Sequence, residues 1–439
     1  MSPPDTDRLY PAHLATMMAR TDRALAAGRF SALIAAAGTA PMQFLDDQPY
    51  PFKVSPHFKA WVPLTHAPGS YVVYRPGSRP QLIFLQPEDY WHKPPSLPDA
   101  AWLKAFDVTV IREPEAARAH FPQRGAYLGP TDGTVDWPDL AVNPPAVVDI
   151  LHYARAVKTD YEIACLRHAS RAAARGHRAA AQAFESGASE YATHLAYLAA
   201  SDHQEQDLPY PNIIAQNEGA AVLHYTELRH APAIPRRSML IDAGAQYRGY
   251  GADVTRTHAA EPGVFSDLIV AMDALQQRLC TRVRPGVPYP DIQLEAHRAI
   301  AELLHSAGII RCSPEAAVET GLSAVFFPHG VGHLLGLQVH DVGGFMASEQ
   351  GGTIARPPGH PYLRLTRVLE AGVVVTIEPG MYFIELLLAA ARSDGRGRDI
   401  DWATVDVLKP CGGIRVEDDV VALDSGPENL TRAAFAATA

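Results

Sequence analysis

The sequence predicts an α+β fold in two domains, on three observations. Short apolar runs separated by turn residues dominate residues 1–155. An Ala-rich helical segment begins after Thr159. Beyond it, helix-like and strand-like stretches alternate as far as residue 430. We therefore predict a smaller mixed α/β domain at 1–155 and a larger α+β domain at 156–439.

The smaller domain is predicted from its strands. Tyr71–Tyr74 and Leu82–Leu85 have the composition of strands and are joined by a Pro/Gly turn. Two further apolar runs, Val108–Ile111 and Ala126–Gly129, predict two more short strands.

The larger domain opens with a predicted helix. Thr159 and Glu162 have the spacing of a capping box, and Gly187 marks the helix end. Three more helices are predicted, within Glu190–Ala200, Ser266–Val283 and Asp291–Ala307.

The composition excludes several classes of protein. Apolar residues make up 47% and charged residues 20% of the chain, as in a soluble globular protein. Lys plus Arg number 38 against 48 Asp plus Glu, a net charge of −10, which argues against nucleic acid or a membrane surface as partner. The four cysteines form no CxxC pattern, as expected in a reducing compartment. With no signal sequence or membrane span evident, we expect a cytoplasmic protein.

Four acidic residues follow apolar, strand-like runs. Asp242 and Asp253 are separated by a Gly-rich turn, so neighbouring strands bring their carboxylates together. Glu378, in VTIEPG, and Glu417, in GGIRVEDDV, occupy positions where a carboxylate is costly unless paired or bound to a cation. Taken singly, the aspartates have a turn as the alternative, Glu378 a turn cap, and Glu417 an ion pair with Arg415. Taken together, the four indicate one site whose negative charge two divalent cations would balance.

Three histidines lie in the segment FFPHGVGHLLGLQVHD, interleaved with glycines that allow close backbone approach: His329, His333 and His340. Carboxylates joined by one imidazole suit hard to borderline metals such as Mn²⁺, Co²⁺ or Zn²⁺. A lone histidine is more often a structural imidazole. Three others are interpreted in that way, namely His152, His168 and His194.

Five of these residues match, in order and context, the metal ligands of the pita-bread metallopeptidases, a family that includes methionine aminopeptidase, aminopeptidase P and prolidase: Asp242, Asp253, His333, Glu378 and Glu417. The segments FLDDQPYPFKVSPHFKAW, FLQPEDYWHK, NEGAAVLHY and YLRLTRVLEAG more closely resemble bacterial Xaa-Pro dipeptidases and their relative organophosphorus acid anhydrolase. The resemblance covers nearly the whole chain. It implies a C-terminal pita-bread (creatinase/aminopeptidase-like) domain and a prolidase-like N-terminal domain.

The resemblance also implies a site with two divalent metal ions, Mn²⁺ above all, with Co²⁺ or Zn²⁺ as alternatives. Asp253 and Glu417 would bridge the ions. Asp242 would bind one ion, and His333 with Glu378 the other. Such a pair activates water for hydrolysis.

Catalytic roles follow from the same resemblance. Glu378 would carry a proton from the nucleophile to the leaving nitrogen. His340 and His224 would stabilise the oxyanion. Arg415, two residues before Glu417, would orient the metal ligands.

Five residues are implied to contact the substrate: Arg364, Tyr210, His329, His224 and His340. Among them, Arg364 would bind the terminal carboxylate, and Arg367 is a nearby alternative.

The implied activity is hydrolysis of Xaa-Pro dipeptides by a homodimer, with a side activity on organophosphate triesters. Aminopeptidase P, acting on longer peptides with Pro second, is one alternative. A peptide-binding module that kept the fold without catalysis is another. In the resembling enzymes, the loop FLDDQPYPFKVSPHF reaches toward the other subunit's active site. Asp46 or Asp47 is therefore expected near that pocket.

Overall fold

The computed structural model describes residues 5–131 and 139–438. They form two compact units. The first unit comprises the described residues as far as Cys165, together with Arg248–Tyr250 and Met346–Gly352. The second comprises Leu166–Tyr247, Gly251–Phe345 and the described residues from Thr353 onward. The division of the chain between residues 155 and 156 stays a prediction.

A six-stranded mixed sheet forms the centre of the first unit. Its strands are β1 (Ala32–Ala36), β2 (Tyr71–Tyr74), β3 (Gln81–Leu85), β4 (Asp107–Ile111), β5 (Gly125–Leu128) and β6 (Leu140–Val142). Their order is β4-β3-β2-β1-β5-β6. The β1–β2 and β2–β3 pairs are antiparallel, and the other three are parallel. The four strands predicted here are confirmed to within one residue at each end.

Among the described residues, three α-helices lie wholly in this unit: α1 (Asp5–Gly28), α2 (Pro56–Lys59) and α3 (Pro145–Arg155). Helices α1 and α3 pack against each other. Apolar side chains of all six strands form the buried core of the sheet, among them Ile34, Val73, Ile83 and Tyr127. β-branched and aromatic residues suit such a pleated surface, which explains why these segments form strands.

The described residues contain nine further helices: α4 (Asp160–Glu185), α5 (Glu190–Ser201), α6 (Val264–Cys280), α7 (Tyr289–Ser306), α8 (Pro314–Glu319), α9 (Ser323–Phe326), α10 (Glu385–Ser393), α11 (Trp402–Leu408) and α12 (Leu430–Ala437). The four helices predicted in this part are confirmed, although α6 and α7 each begin two residues earlier than expected. The capping box of α4 forms: Thr159 N donates to Glu162 Oε2 at 2.8 Å, and Glu162 N lies 3.4 Å from Thr159 Oγ1.

The remaining strands are β7 (Ile213–Gln216), β8 (Ser238–Asp242), β9 (Gln246–Tyr247), β10 (Tyr250–Gly251), β11 (Thr255–Ala259), β12 (Met346–Ser348), β13 (Gly351–Thr353), β14 (Val374–Ile377), β15 (Gly380–Tyr382), β16 (Gly413–Arg415), β17 (Asp418–Val421) and β18 (Glu428–Asn429). Three antiparallel groups matter for function: β11-β8-β7, β14-β17-β18 and β15-β16.

Strand register brings the first two candidate acids together. Asp242 ends β8 and pairs with Thr255, the first residue of β11. Ala243 N donates to Val254 O at 3.0 Å, which extends the pairing toward Asp253. The prediction that both aspartates lie on neighbouring strands is confirmed for Asp242, whereas Asp253 lies between β10 and β11, two residues before β11 begins.

A second register does the same for the glutamates. Ile377 of β14 pairs with Asp418 of β17, so the adjacent residues Glu378 and Glu417 leave the sheet side by side. Glu417 N donates to Thr255 O at 3.1 Å, which joins this sheet to the one that carries the aspartates. The α+β prediction is confirmed. Among the described residues, no helix is both long and apolar enough to cross a bilayer.

Candidate metal centre

Three buried side chains from separate segments face one point. A ligand atom from each of Asp253, His333 and Glu417 lies within 4.8 Å of the other two. The three residues are at most 5% exposed. Carboxylates buried this deeply are costly unless they are paired or bind a cation, and two acids with one imidazole form a ligand set that divalent metals accept.

One hydroxyl links Asp242 to this cluster. The Tyr210 hydroxyl lies 2.8 Å from Asp242 Oδ1 and 2.6 Å from Asp253 Oδ1. Gly244 allows this approach, because a Cβ there would overlap the Ala252 carbonyl oxygen and lie 2.7 Å from the Tyr210 ring. The two aspartates therefore share one polar neighbour and lie on one side of the site.

His333 connects the aspartates to Glu378. Its Nε2 lies 3.4 Å from Asp253 Oδ2 and 3.7 Å from Glu378 Oε1. Its Nδ1 lies 3.0 Å from Leu334 O, a carbonyl that can only accept a hydrogen bond. The proton of a neutral imidazole is thus held on Nδ1, and the Nε2 lone pair faces the carboxylates, as a metal ligand requires.

The backbone of His333 is fixed by β14. His333 N donates to Thr376 Oγ1 at 3.1 Å, and Thr376 N donates to His333 O at 3.0 Å. Gly332 makes this pairing possible, because a Cβ at that position would overlap the Thr376 carbonyl oxygen and the Tyr289 hydroxyl. One of the glycines around the histidines thus has a steric reason to be there.

Arg415 supports both sides of the site. Its Nη2 donates to Asp242 Oδ2 at 2.7 Å, and its Nε lies 3.2 Å from Thr255 Oγ1. The Thr255 hydroxyl donates to Glu417 Oε2 at 2.7 Å. Arg415 thus contacts one acid directly and orients the threonine that binds another.

A hydrogen-bond chain runs from Arg415 to His329. Arg415 Nη1 donates to the Tyr382 hydroxyl at 2.9 Å, and that hydroxyl lies 2.8 Å from His329 Nε2. His329 Nδ1 lies 2.8 Å from Gly330 O. Burial, with the charge of Arg415, lowers the pKa of His329 to about 3, so the ring is neutral and accepts from Tyr382.

Ionisation of the acids reflects their crowding. Burial raises the pKa of Asp242, raises that of Glu378 to about 7, and raises that of Glu417 well above its usual range, with the neighbouring carboxylates adding to the effect. Burial acts in the same direction on Asp253, but hydrogen bonding and charge from His333 outweigh it and lower that pKa. Divalent cations would remove this repulsion, so the donor set fits a metal centre.

Two stretches of the chain match known protein families. Residues 164–424 match metallopeptidase family M24, and residues 8–153 match the N-terminal domain of Xaa-Pro dipeptidases. The first match alone spans more than half of the chain. The chain belongs to metallopeptidase family M24. The prediction that it is an enzyme, a metallopeptidase, is confirmed.

Full-length relatives extend this result. An Xaa-Pro dipeptidase of Xanthomonas axonopodis pv. citri is 53% identical over 441 residues, covering 100% of both chains. One of Stenotrophomonas maltophilia is 51% identical over 438 residues, covering 99% of this chain and 98% of the relative. The resemblance to bacterial Xaa-Pro dipeptidases is thereby confirmed.

Solved structures agree on the fold. Escherichia coli aminopeptidase P with the inhibitor Pro-Leu superposes with a TM-score of 0.72 at 21% identity, covering 98% of each chain. Proline aminopeptidase P II of Yersinia pestis superposes with a TM-score of 0.69 at 23% identity, covering 98% of this chain and 99% of the other. These likenesses confirm the predicted pita-bread fold with its N-terminal domain.

The other histidines of the candidate M24 site lie around the ligands. The His340 ring packs edge-on against His333, with centroids 4.4 Å apart. Partial burial, then the charges of His333 and Arg364, lower the pKa of His340 to about 4. His224 is exposed, and it is the smallest of the named influences that lower the pKa values of His340 and His329.

The two candidate arginines for the substrate carboxylate differ in environment. Arg364 is exposed and close enough to His340 to influence its pKa. Arg367 is 4% exposed, and its Nη2 lies 2.7 Å from Glu370 Oε1. Of the pair, Arg364 is the one whose side chain faces solvent beside the M24 site.

Sequence reasoning missed four residues that hold the ligands: Thr255, Thr376, Tyr382 and Asp419. The last is buried and accepts a hydrogen bond from Asp253 N, at 3.2 Å to its Oδ2. The run Glu417-Asp418-Asp419 carried a signal for it, because consecutive acids inside an apolar strand require partners. The three hydroxyls carried none, since Thr and Tyr are ordinary strand residues.

Three histidines were interpreted as structural, and each has a local contact. His152 Nε2 lies 3.2 Å from His57 Nε2, and the His168 ring stacks on Tyr247 at 4.6 Å. His194 Nε2 lies 2.6 Å from Glu205 Oε2. Their structural role stays a prediction.

Proposed function

We propose that the protein hydrolyses Xaa-Pro dipeptides with two divalent metal ions. One observation carries the proposal: four carboxylates and one imidazole converge in a buried site, in a chain that resembles Xaa-Pro dipeptidases over its full length. A substrate of this kind presents a scissile bond to the imide nitrogen of proline and a free terminal carboxylate beside it.

The resemblance implies which residues would hold the metals. Asp253 and Glu417 would serve both ions, Asp242 would serve one, and His333 with Glu378 would serve the other; the closeness of Asp253, His333 and Glu417 supports this set. Carboxylate oxygens with a single imidazole nitrogen suit Mn²⁺, and Co²⁺ or Zn²⁺ fit the same donors. When bound, such a pair supplies Lewis acidity and lowers the pKa of water enough to provide hydroxide near neutral pH.

The chain itself supplies proton transfer. A Glu378 carboxylate oxygen accepts the proton that the attacking water gives up and delivers it to the nitrogen of the departing proline. Its position supports this role, because its Oε2 lies 3.6 Å from His329 Nδ1 and its Oε1 faces His333. The bond that forms joins water oxygen to the carbonyl carbon, and the bond that breaks joins that carbon to the proline nitrogen.

His340 and His224 stabilise the oxyanion by hydrogen bonding. The lowered pKa of His340 keeps its ring neutral, with one N–H to donate. Tyr210 and His329 complete the lining of the substrate site, Tyr210 beside the aspartates and His329 beside Glu378. Arg364 binds the substrate carboxylate in two places through its planar guanidinium.

We further propose a cytoplasmic homodimer and a side activity on organophosphate triesters. Phe44 and Leu45 are 89% and 90% exposed, in the loop that also carries Asp46 and Asp47. Large apolar side chains exposed together are typical of interfaces. The loop therefore fits against a second copy of the chain, with Asp46 or Asp47 near that copy's pocket. Static light scattering of the parent and a Phe44→Ser/Leu45→Ser variant tests the dimer, since the variant is expected to dissociate.

The decisive experiment is a substrate panel after metal removal. The chain is stripped with a chelator, reloaded with Mn²⁺, Co²⁺ or Zn²⁺, and assayed on Ala-Pro, an Ala-Pro tripeptide and a phosphotriester. Turnover of Ala-Pro that returns only with metal supports the proposal. Preference for the tripeptide would instead indicate an aminopeptidase P activity. No turnover with any metal would indicate a peptide-binding protein.

A further inference from the structure

Helix α7 turns a line of polar side chains toward the metal-ligand segments. Tyr289, Gln293 and His297 recur every four residues and therefore share one face of the helix. They are 0%, 1% and 4% exposed. Polar groups buried to this degree are normally fixed by hydrogen bonds, so their partners indicate what the helix holds in place.

Gln293, at the centre of this line, contacts two separate segments. Its Oε1 accepts from Val331 N at 2.6 Å. Its Nε2 lies 3.3 Å from His329 O and 3.3 Å from His360 Nδ1. The amide thus contacts the segment His329–Val331 through both of its polar atoms, and it contacts His360 through Nε2 alone.

The first segment belongs to the proposed metal site. Val331 O accepts from Glu378 N at 2.8 Å. Val331 thus bonds to Gln293 through its N–H and to Glu378 through its carbonyl. The His329 ring approaches the same carboxylate, with Nδ1 3.6 Å from Glu378 Oε2. Gln293 therefore contacts the segment that adjoins His329 and Glu378, while the pairing of Ile377 with Asp418 holds the strand end next to Glu378 independently.

The second segment carries Arg364. Leu363 N donates to His360 O at 3.3 Å, which closes a turn just before Arg364. The turn begins at His360, the residue that Gln293 contacts. Gly330 packs against this turn, because a Cβ there would lie 3.0 Å from Leu363 Cα. Burial lowers the pKa of His360, so its ring is neutral and Nδ1 can accept from the Gln293 amide.

The side chain of Arg364 is exposed, so contacts with its neighbours restrict its direction little. The position of its backbone must then decide where the guanidinium meets the substrate. That backbone is held by the turn at His360, by packing on Gly330 and by Arg356, whose Nε donates to Leu363 O at 2.6 Å; Gln293 contacts both the turn and the His329 segment.

We propose that Gln293 is a positioning residue. It holds the loop that carries Arg364 in a fixed position relative to the His329 segment. In this way it sets the preference for a substrate with a free terminal carboxylate. This rests on the proposed function, in which Arg364 binds that carboxylate. Gln293 contacts neither the substrate nor the metals in this role. It keeps the carboxylate-binding group and the proton-transfer group at a fixed separation.

The test compares Ala-Pro with Ala-Pro-amide in the Mn²⁺-loaded full chain. Gln293→Met keeps the size of the side chain and removes all three contacts. Gln293→Glu keeps an acceptor for Val331 N and removes the donor to His329 O. Gln277→Met, on the exposed face of α6, is the matched control. Metal content and thermal midpoint are measured for every variant.

Both Gln293 variants are expected to raise KM for Ala-Pro about tenfold, because a small displacement of a binding group weakens orientation steeply. For Ala-Pro-amide, KM and kcat are expected to change less than threefold, with two metal ions per chain retained. Gln277→Met is expected to match the parent. If Gln293→Met does not fold, Gln293→Glu decides.

Two outcomes would overturn the proposal. Equal losses of activity on both substrates, or loss of bound metal, would show that Gln293 supports the fold or the metal ligands. The proposed dipeptidase activity of the parent would be unaffected by that result. A parent that fails to prefer Ala-Pro over its amide would overturn the carboxylate role of Arg364, and this inference with it.

Discussion

The Arg415 guanidinium and the Asp242 carboxylate form a buried ion pair, with Nη2 2.7 Å from Oδ2. The other oxygen of Asp242 faces the Tyr210 hydroxyl at 2.8 Å. Both oxygens thus have fixed partners, so side chains of the protein itself set the direction of this carboxylate. Removal of one member of such a pair leaves an uncompensated buried charge, which is more costly than the pair is favourable.

Replacing Arg415 is therefore expected to damage the metal site. Arg415→Met should lower metal affinity or kcat/KM by about 10- to 100-fold, the range found when groups that orient metal ligands are removed. Metal competition with a chromogenic chelator measures the first, and Ala-Pro hydrolysis the second. Arg311→Met, which removes an exposed pair with Asp401, serves as control. Unchanged affinity and activity in Arg415→Met would show that the pair only supports the fold.

The ligand assignment predicts different metal contents for different acids. Asp253→Ala and Glu417→Ala each remove a ligand shared by both ions, so both ions should be lost together with activity. Asp242→Ala removes a ligand of one ion and should leave about one ion per chain, since the other ion keeps its donors. Elemental analysis after gel filtration measures the contents, with exposed Asp267→Ala as control. Two ions in an active Glu417→Ala protein would contradict the assignment.

The acids carry a local signal in the sequence, although their role as metal ligands stays a prediction. Glu378 and Glu417 each follow an apolar run, and burial next to such a run requires a partner. The choice of partner was not local. From the sequence, an ion pair with Arg415 was one alternative for Glu417. In the structure Arg415 pairs with Asp242, and Glu417 accepts from the Thr255 hydroxyl. Only the register between strands decides this.

The sequence of the segment YLRLTR likewise did not indicate which of its arginines is buried. Arg364 and Arg367 are three residues apart, and either has the chemistry to bind a carboxylate. The structure buries Arg367 against Glu370 and leaves Arg364 exposed, a difference that the two residue types alone do not predict. The polar line of α7 was also invisible, because the residue types gave no reason to expect Gln293 to be buried.

Acid stability offers a test that does not alter a metal ligand. His177 is 1% exposed, and its Nε2 lies 3.0 Å from Ala243 O. Burial, then the charge of Arg256, lowers the pKa of His177 from 6.5 to about 3. Above pH 6.5 the ring is neutral in both states and has no effect on stability. Between pH 6.5 and 3 the unfolded chain binds a proton that the folded chain does not, so stability falls as pH falls.

His177→Gln should reduce this acid lability, because an amide still donates to the carbonyl of Ala243 but does not titrate. The expected result is a smaller drop in thermal midpoint between about pH 7 and pH 4.5 than in the parent. Differential scanning fluorimetry measures it, and the exposed His305→Gln should follow the parent. An identical drop in His177→Gln would mean that this imidazole is protonated in the folded chain or that other groups dominate.

The last prediction concerns the choice of a dipeptide as substrate. A short substrate offers few contacts, so its terminal carboxylate must supply much of the orientation. Arg364→Ala removes a charge-assisted pair, which should cost roughly 1.5–3 kcal/mol, or about ten- to a hundredfold in kcat/KM for Ala-Pro. Ala-Pro-amide and a neutral phosphotriester have no carboxylate to bind and should lose much less. Steady-state kinetics on the three substrates measures the difference.

Arg367→Ala separates reading of the substrate from support of the fold. Its guanidinium is buried and pairs with Glu370, so removing it should lower the thermal midpoint more than the selectivity. If Arg367→Ala instead abolished the preference for the free carboxylate, the assignment within the pair would be reversed. Equal losses on carboxylate and amide in Arg364→Ala would show that Arg364 maintains the loop or the metals, because a group that binds the carboxylate cannot affect both substrates alike.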